Sequence, residues 1–424
     1  MRVLLISANT EQTNMLPLPL GLNCVAVATR NSGHDVRFLD LLTEKDTEEV
    51  LKLTIKSFNP EIIGISIRNI DDQTMTPPRF LLDQVKEIIG ECRNVSDVPI
   101  VLGGPGYSIF PVSALNYLEV DMGIQGEGEI VFPMLLDRIH KGLDLSGLPG
   151  LYLRGLGLQG ERLFAENLDM LPLPDPYLWS SSTPENGKYW VPIQTRRGCP
   201  MGCSYCSTAI IEGHSIRRRR PKLVIEEIVR HVEAGYQMFH FVDNTFNIPM
   251  RYAKEVCRKI IESDLDISWM CIFYPGIIDK ELADLLEKAG CKEVSLGFES
   301  GSERILRNMN KKFSLDSIRR TSDMLRDVGI KRMGFLLLGG PRETKETVEQ
   351  SLAFADSLDL DALKITIGIR IYPNTELAKV AISDGIILQE DNLLIPKFYV
   401  VKEIEVWIRE TVRSWMNSRP NWII

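Results

Sequence analysis

The sequence predicts an α/β protein with a doubly wound, Rossmann-like N-terminal domain, a partial (β/α)6 TIM-type barrel and a short helical C-terminal tail. Two observations support this prediction. Short, continuous apolar runs alternate with amphipathic stretches, as in parallel sheets whose faces are covered by helices. Glycine- and proline-rich sequence interrupts the alternation once. The predicted divisions are a first domain at 1–150, a connector at 151–190, a barrel at 191–375 and a tail at 376–424.

The composition argues against several classes of protein. Of the 424 residues, 44% are hydrophobic and 25% charged, which is ordinary for globular domains. The formal net charge of −8 argues against a nucleic-acid-binding protein, which usually presents a basic face. The first apolar run is too short for a secretory signal, and the densest one is far shorter than a membrane span. We therefore expect a cytoplasmic protein without a transmembrane segment.

The first domain contains five short apolar runs that predict strands at 3–7, 36–39, 62–66, 99–103 and 122–124. Helices are predicted between them at 20–31, 47–58, 78–92 and 113–118. In such sheets, ligands bind beyond the carboxyl ends of the strands. Those ends are rich in glycine and polar residues, but no G-x-G-x-x-G motif follows the first strand, so a dinucleotide is not favoured. A purely structural domain with ordinary loop glycines explains this pattern equally well.

The barrel region repeats the alternation with strands at 191–195, 238–242, 267–272, 293–297, 331–338 and 362–370. Helices are predicted at 222–235, 251–263, 279–290, 315–329 and 343–358. Polar or glycine residues recur where the strands end, including Asp243, Glu299, Gly339 and Arg370. Barrel enzymes carry their chemistry on this face, so we expect the active site there.

Three cysteines, Cys199, Cys203 and Cys206, follow the first barrel strand within one short loop. A [4Fe-4S] cluster normally takes four thiolates, so three local thiolates would leave one iron open for another ligand. Zinc sites usually show paired Cys-x-x-Cys spacing, which is absent here, although a Cys3His site with His214 is conceivable. An electron-transfer cluster would need a fourth cysteine from among Cys257, Cys271 and Cys291. These three, with Cys24 and Cys92, are otherwise expected to be small core residues.

The pattern Cys199-x-x-x-Cys203-x-Tyr205-Cys206 resembles the signature of the radical S-adenosylmethionine (SAM) superfamily. The resemblance continues through residues 241–244, 297–302, 309–311, 339–344 and 371–375. It implies that the three cysteines bind a [4Fe-4S] cluster whose open iron binds SAM, and that reduction of SAM yields a 5′-deoxyadenosyl radical. By this resemblance, the SAM-binding residues are Tyr205, Asp243, Asn244, Glu299, Ser300, Leu336 and Gly339. Alternatively, Asp243 and Glu299 are solvated loop carboxylates.

The first domain resembles the cobalamin-binding domain that precedes some radical SAM cores. The matching segments are 19–22, 33–36, 63–66, 103–105 and 126–129. No Asp-x-His-x-x-Gly motif is present, so cobalamin would bind without a histidine ligand from this domain, with its lower face near Arg68 and Asn69. The implied cobalamin-binding residues are Ser7, Asn9, Leu20, Ser66, Arg68, Asn69, Gly103, Gly104, Pro105, Gly126 and Glu127.

The two resemblances together imply an anaerobic, cobalamin-dependent radical SAM enzyme that methylates an unactivated carbon. The implied partners are a small-molecule or biosynthetic-intermediate substrate and an electron donor such as flavodoxin or ferredoxin. Four alternatives remain open: a cyclase or oxidoreductase without methyl transfer, a radical enzyme with an empty first domain, an iron–sulfur electron carrier, and a zinc-binding module. The sequence assigns neither a catalytic acid or base nor a particular substrate.

Two further features have competing interpretations. The basic run from Arg217 to Arg220 is typical of a solvated surface, but it could contact a phosphate or carboxylate. Residues 402–416 have the periodicity of an amphipathic helix, with Trp407 and Trp415 on its apolar stripe. This helix is expected to pack on the barrel, or else to act as a substrate lid or membrane-surface contact.

Overall fold

The computed structural model describes residues 1–10, 18–179 and 189–424. They form two compact units. The first comprises Met1–Asp72, Arg79–Tyr189 and Ile210–Gly213, and the second comprises Gln73–Pro78, Trp190–Ala209 and His214–Ile424. Among the helices in the described ranges, none is both long enough and apolar enough to cross a bilayer.

The first unit is built on a sheet of seven strands within its described residues. They are β1 (Arg2–Ser7), β2 (Asp35–Asp40), β3 (Ile62–Ser66), β4 (Ile100–Gly103), β5 (Met122–Ile124), β6 (Leu151–Leu153) and β7 (Gly157–Leu158). Their order in the sheet is β2-β1-β3-β4-β5-β6-β7. The first five strands run parallel, whereas β6 and β7 pair antiparallel. The loops after β1 and β3 therefore diverge at a topological switch point, where ligands of doubly wound sheets bind.

The helices of this unit cover both faces of the sheet. They are α1 (Leu20–Asn31), α2 (Thr47–Phe58), α3 (Leu82–Val95), α4 (Pro105–Ile109), α5 (Pro111–Leu118) and α6 (Gly128–His140). The central strand β1 is apolar on both faces, and Val3 and Leu5 are fully buried. Phe132 and Leu135 of α6 pack into the same core. The predicted doubly wound fold is confirmed, while α6 and the β6–β7 hairpin were not predicted from sequence.

The second unit contains a parallel sheet that follows the chain order expected of a partial barrel. The strands from residue 190 onward are β8 (Val191–Ile193), β9 (Arg196–Arg197), β10 (Arg217–Arg218), β11 (Met238–Phe241), β12 (Ser268–Phe273), β13 (Cys291–Glu299), β14 (Lys331–Leu338), β15 (Ala362–Ile367), β16 (Ile369–Arg370), β17 (Phe398–Tyr399) and β18 (Trp422–Ile423). The described sheet order is β18-β15-β14-β13-β12-β11-β8, and β9–β10 and β16–β17 form separate ribbons. The six predicted barrel strands are thus present.

The helices in this part of the chain lie between successive strands. They are α7 (Thr208–Glu212), α8 (Pro221–Glu233), α9 (Met250–Glu262), α10 (Lys280–Lys288), α11 (Glu303–Asn308), α12 (Leu315–Asp327), α13 (Lys345–Ser357), α14 (Glu376–Ser383) and α15 (Glu405–Met416). Their starts are encoded locally by side chains that accept a hydrogen bond from a backbone N–H in the first turn. Such caps are provided by Asp279, Ser314, Thr344 and Thr375.

The C-terminal tail packs against the barrel unit. Ile408 and Val412 of α15 are fully buried, and β18 pairs in parallel with β15 at the end of the sheet. The rings of Trp415 and Trp422 stack with a centroid distance of 5.9 Å. These contacts agree with the packing interpretation of the tail helix and add a strand that the sequence pattern did not predict.

Candidate functional site

The three-cysteine loop follows β9, beyond the carboxyl end of β8. Cys199, Cys203 and Cys206 are half-buried thiols. The segment just after α11 holds this loop by its backbone. Ser204 N donates to Met309 O (3.1 Å), and Asn310 Nδ2 donates to Gly202 O (2.7 Å). These contacts come from segment 309–311, which contributed to the family resemblance.

Cys206 has a polar neighbour that sequence reasoning missed. The Cys206 thiol donates to Thr208 Oγ1 (3.2 Å), and Thr208 N donates to Cys206 Sγ (3.5 Å). The Thr208 hydroxyl donates in turn to Asn244 Oδ1 (3.4 Å). The predicted SAM-binding residue Asn244 is therefore close to the cysteine loop.

Cys203 lies beside a buried group of charged and polar side chains. Glu299 Oε1 accepts hydrogen bonds from Tyr205 OH (2.9 Å) and from Lys311 Nζ (3.2 Å). The side chains of Lys311 and Glu299 are only 5% and 15% exposed. Burial raises the pKa of the Cys203 thiol, while the Lys311 ammonium acts in the opposite direction. Although burial disfavours its charged form, Glu299, Tyr205 and Cys203 hold the pKa of Lys311 well above its usual value.

The three thiols fit an iron–sulfur cluster better than a single metal ion. In the described part of the chain, no three His, Cys, Asp or Glu side chains converge as they would around one ion. A four-iron cluster needs no such convergence, because each thiolate binds a different iron. The zinc site with His214 consequently has no geometric support in the described residues.

The cysteines considered as a fourth ligand lie elsewhere in the second unit. Cys257 is on α9, Cys271 is inside β12, and Cys291 begins β13. All three are at most 4% exposed. Cys291 lies at the amino end of its strand, whereas the cysteine loop follows the carboxyl end of β8. This placement supports their interpretation as core residues.

Two of the predicted SAM-binding side chains are enclosed in buried networks. Asp243 has no exposed surface and accepts hydrogen bonds from Thr195 N (2.8 Å), Thr195 Oγ1 (2.6 Å) and Arg196 N (3.1 Å). Ser300 is also fully buried, with its Oγ 3.0 Å from Ser351 Oγ. Both residues follow strands as expected, but these contacts direct their side chains to neighbouring protein groups.

The turn after β14 is held by a glutamate that sequence reasoning did not single out. Glu343 Oε2 accepts hydrogen bonds from the backbone N–H groups of Gly339 and Gly340. Burial raises the pKa of Glu343 to about 7. Leu336 is 1% exposed. The useful sequence signal was the segment Gly339-Gly340-Pro341-Arg342-Glu343, in which a carboxylate follows two glycines at a strand end.

In the first unit, a groove of about 250 Å³ open to solvent lies at the switch point between β1 and β3. Of the predicted cobalamin-binding residues, Asn9, Arg68 and Asn69 line it. Asn9 Nδ2 is buried and has no hydrogen-bond partner among the described residues. An amide donor in this position fits a ligand with carbonyl oxygens on its edge, as the amide side chains of cobalamin provide. Six further lining residues were not among the predicted ones: Ala8, Thr10, Ile67, Leu81, Gln84 and Val85.

The predicted residues at the ends of β1, β3 and β4 form the backbone beside this groove. Ser7 pairs in register with Ser66, and Ser66 with Gly103. Gly104 has a φ of +95°, and a Cβ at this position would lie 2.5 Å from Ile67 O. Pro105 begins α4. Only glycine fits at position 104 without moving residue 67, which itself lines the groove.

The remaining predicted cobalamin-binding residues lie outside the groove lining within the described chain. Leu20 is the first residue of α1. Gly126 N donates to Ser108 Oγ (3.0 Å). Glu127 is buried, and its Oε2 accepts a hydrogen bond from Ala165 N (2.7 Å). Glu127 therefore ties the end of the parallel sheet to the segment that follows the β6–β7 hairpin.

Comparison with known proteins identifies both units. Residues 193–355 match the model of the radical SAM superfamily, and residues 8–136 match the B12 binding domain. An uncharacterized methyltransferase of Pyrococcus horikoshii is 30% identical over 404 residues, covering 92% of this chain and 84% of the relative. Tryptophan 2-C-methyltransferase of Streptomyces laurentii is 25% identical over 440 residues, covering 88% and 73%.

The fold has a counterpart among solved structures. The radical S-adenosylmethionine methyltransferase TsrM from Kitasatospora setae, with tryptophan substrate and a SAM analog bound, matches with a TM-score of 0.82. The sequence identity is 24%, and the match covers 91% of this chain and 77% of that one. This likeness shows a shared fold.

The chain belongs to the cobalamin-dependent radical SAM methyltransferase family. Its cofactors are accordingly a [4Fe-4S] cluster, S-adenosylmethionine and cobalamin. The family assignment confirms the predicted radical SAM enzyme in preference to the zinc-binding module and the simple electron carrier.

Proposed function

We propose that this protein transfers a methyl group from S-adenosylmethionine to an unactivated carbon of a small organic molecule, such as a biosynthetic intermediate. One observation carries the proposal: the same chain contains a three-thiol loop beyond the carboxyl end of β8 and a groove with a buried, unpartnered amide donor at the β1/β3 switch point. Relatives named as methyltransferases support it. When bound, the cofactors would supply the electron, the radical and the methyl group.

In the second unit, the proposed cluster ligands are Cys199, Cys203 and Cys206. The Lys311 ammonium beside Cys203 would stabilise negative charge on the thiolates and on the cluster. SAM contacts are proposed for Tyr205, Asn244, Glu299, Leu336 and Gly339. Asp243 and Ser300 would act on SAM indirectly, because their side chains are committed to buried protein contacts.

In the first unit, the proposed corrinoid contacts are Asn9, Arg68 and Asn69. Asn9 Nδ2 would donate a hydrogen bond to a carbonyl oxygen at the edge of the macrocycle, which would satisfy its buried polar atom. Gly104 would keep the backbone of residue 67 in place beside the ring.

The proposal is tested by following an isotopic label. Protein prepared without oxygen is supplied with hydroxocobalamin, methyl-labelled SAM, candidate substrates and reduced flavodoxin or ferredoxin, with a chemical reductant as a control for the donor. We expect labelled methyl groups in the product. Cys203→Ala should lose both the cluster absorbance and the label, whereas Cys291→Ala, which removes a core thiol of the same unit, should retain them.

Each other outcome contradicts a stated part of the proposal. Substrate conversion without transfer of label would replace methyl transfer by cyclisation or oxidation. Conversion that does not depend on hydroxocobalamin would indicate an empty first domain. Retention of the cluster by Cys203→Ala would show that the loop is not its binding site.

A further inference from the structure

We propose that Asp243 and Arg196 are positioning residues that clamp the two ends of the cysteine loop and so set the geometry of its three thiols. The proposal deepens the function proposed for that loop and rests on it. Asp243 was expected from sequence to contact SAM, but its carboxylate instead holds the backbone just before Cys199. The evidence comes from both ends of the loop.

The chain enters and leaves the loop through one antiparallel ribbon. It enters through β9 and returns through β10, with Arg197 opposite Arg217 and Arg196 opposite Arg218. Arg219 N also donates to Thr195 O (2.9 Å). The basic run at 217–220 therefore supplies the return strand of this ribbon, which gives it a structural role beyond that of a solvated surface.

Asp243, just beyond β11, anchors the entering strand. Its Oδ1 accepts the backbone N–H groups of Thr195 and Arg196, and its Oδ2 accepts the Thr195 hydroxyl. The Arg196 guanidinium lies 3.4 Å from Oδ2, and the two side chains are 2% and 0% exposed. A carboxylate without access to water needs hydrogen bonds and a nearby cation to offset its desolvation cost. The groups that donate to it are therefore restricted to a narrow range of positions.

Arg196 extends the clamp towards the returning strand. Its Nη1 donates to Thr245 O (3.3 Å) and to Ile248 O, and its guanidinium carbon lies 4.7 Å from the centroid of the Tyr252 ring. The Tyr252 hydroxyl donates to Arg219 O (2.7 Å). The ion pair and this tyrosine thus connect residues just before the loop with residues just after it.

The same unit contains a second arginine–aspartate pair away from the loop. Arg332, at the start of β14, lies 3.4 Å from Asp361, and its backbone N–H donates to Asp361 Oδ2 (2.8 Å). Its guanidinium also donates to carbonyl groups, as that of Arg196 does. The Asp361 side chain is 42% exposed, so Asp361→Asn removes a more exposed carboxylate from an arginine pair at the amino end of the sheet. It serves as the control for a change made far from the loop.

The experiment measures thiol alkylation at each cysteine of the full-length, cluster-free chain, using iodoacetamide and mass spectrometry. Asp243→Asn and Thr195→Val should raise the rates at Cys203 and Cys206 by about 10-fold or more, since a buried hydrogen bond to a charged group is lost. Thr195→Ser keeps the hydroxyl and should restore the wild-type rates. Asp361→Asn should change the rates at the loop by less than about twofold.

Thr195→Val keeps the proposal testable even where Asp243→Asn does not fold. Unchanged rates at the loop in Thr195→Val would overturn the proposal. An equal rise at the buried thiols Cys257 and Cys271 would also overturn it, because that result indicates general loosening. None of these measurements involves a substrate or methyl transfer, so failure of the proposed function would be seen separately.

A second readout uses the reconstituted cluster. Addition of SAM should change the electron paramagnetic resonance spectrum of the reduced wild-type and Thr195→Ser proteins. The change should be smaller in Thr195→Val at equal iron content, because thiols in a less fixed geometry would hold the cluster as a whole less precisely. Identical responses in all three proteins would contradict a positioning role.

Discussion

At the residue scale, the second unit keeps several charges out of water, each with a specific partner. Lys311 is paired with Glu299 beside Cys203, and Arg196 is paired with Asp243 where the chain enters the cysteine loop. Desolvation of an ion costs several kcal/mol, and an oppositely charged side chain offsets that cost only when the geometry of the pair is good. Removing one member of such a pair should therefore cost more than removing both.

The pair formed by Lys311 and Glu299 allows a direct test. Lys311→Met should lower the free energy of unfolding by about 3 kcal/mol, because Glu299 is left buried without its cation. The double variant Lys311→Met/Glu299→Gln should recover at least half of that loss. Lys254→Met is the control: its partners Asp279 and Glu281 are 44% and 54% exposed, so about 1 kcal/mol or less is expected. Denaturant unfolding of the cluster-free chain measures all three, and equal losses for both lysines would contradict the argument.

Glu227 on α8 should make stability depend on pH. It is 2% exposed, and burial raises its pKa to about 8 from an ordinary value of 4.5. The folded protein holds this proton more tightly than the unfolded chain does. This contribution is therefore complete below pH 4.5 and is lost as the pH rises to about 8. Glu227→Gln, which keeps the group neutral, should reduce the fall in unfolding free energy between pH 5 and 8 by up to about 4 kcal/mol.

The control for that measurement is the neighbouring residue on the same helix. Glu226 is 44% exposed and pairs with Arg230 at 2.7 Å. Glu226→Gln should leave the pH profile of the unfolding free energy close to that of the wild type. A Glu227→Gln profile parallel to the wild type would show that this carboxyl is not the source of the dependence.

At the element scale, the tail completes the edge of the barrel sheet. The edge strand β18 has only two residues, Trp422 and Ile423, so its pairing depends on side-chain packing. Trp422 is 6% exposed, stacks on Trp415 and lies 5.1 Å from the Arg419 guanidinium. The strand is therefore held by one aromatic anchor and its contacts.

Trp422→Ala should lower the free energy of unfolding by about 3 kcal/mol, because a large buried side chain is removed without replacement. Ile423→Ala is the matched change in the same strand. Ile423 is 38% exposed, so its loss should cost about 1 kcal/mol or less. Denaturant titration distinguishes the two variants. A similar small loss in both would mean that β18 contributes little to the stability of the barrel.

At the scale of the whole molecule, each unit has its own sheet and core, and the groove proposed for cobalamin belongs entirely to the first. A ligand that binds only the folded protein stabilises it by mass action, by about 2.7 kcal/mol at one hundred times its dissociation constant. Hydroxocobalamin should therefore raise the unfolding temperature of the cluster-free chain. The size of this rise reports binding without any need for catalysis.

Gly104→Ala is the variant that tests the predicted binding of hydroxocobalamin most directly. In Gly104→Ala, the new Cβ would displace Ile67 beside the groove, so the affinity for hydroxocobalamin should fall by about 10-fold or more. Gly142 also has a positive φ, of +61°, but no atom lies within 4 Å of its Cβ position. Gly142→Ala thus adds a Cβ at another positive-φ glycine without a clash and should leave the affinity unchanged. Equal affinities for both variants would place cobalamin away from the Gly104 turn.

Much of the fold could be predicted because its signals are local. The bounds of α1, α2 and β3 agree with the apolar periodicity of the sequence. The residues that form one face of a helix or strand lie close together in the chain, so a short window of sequence reveals them. The unpredicted elements lacked such a signal. The strand β18 is too short to show alternation, and α6 contains Pro133, which is uncommon in a helix interior.

By itself, the sequence determined the α/β class, the position of the cysteine loop and the glycine turns, because these depend on residue type and spacing. Only the tertiary structure decided which way the strand-end side chains point. Asp243 meets Thr195 from 48 residues away, and Lys311 meets Glu299 from the far end of α11. A carboxylate at a strand end binds whichever donors the fold brings within about 3 Å, and no local pattern encodes those partners.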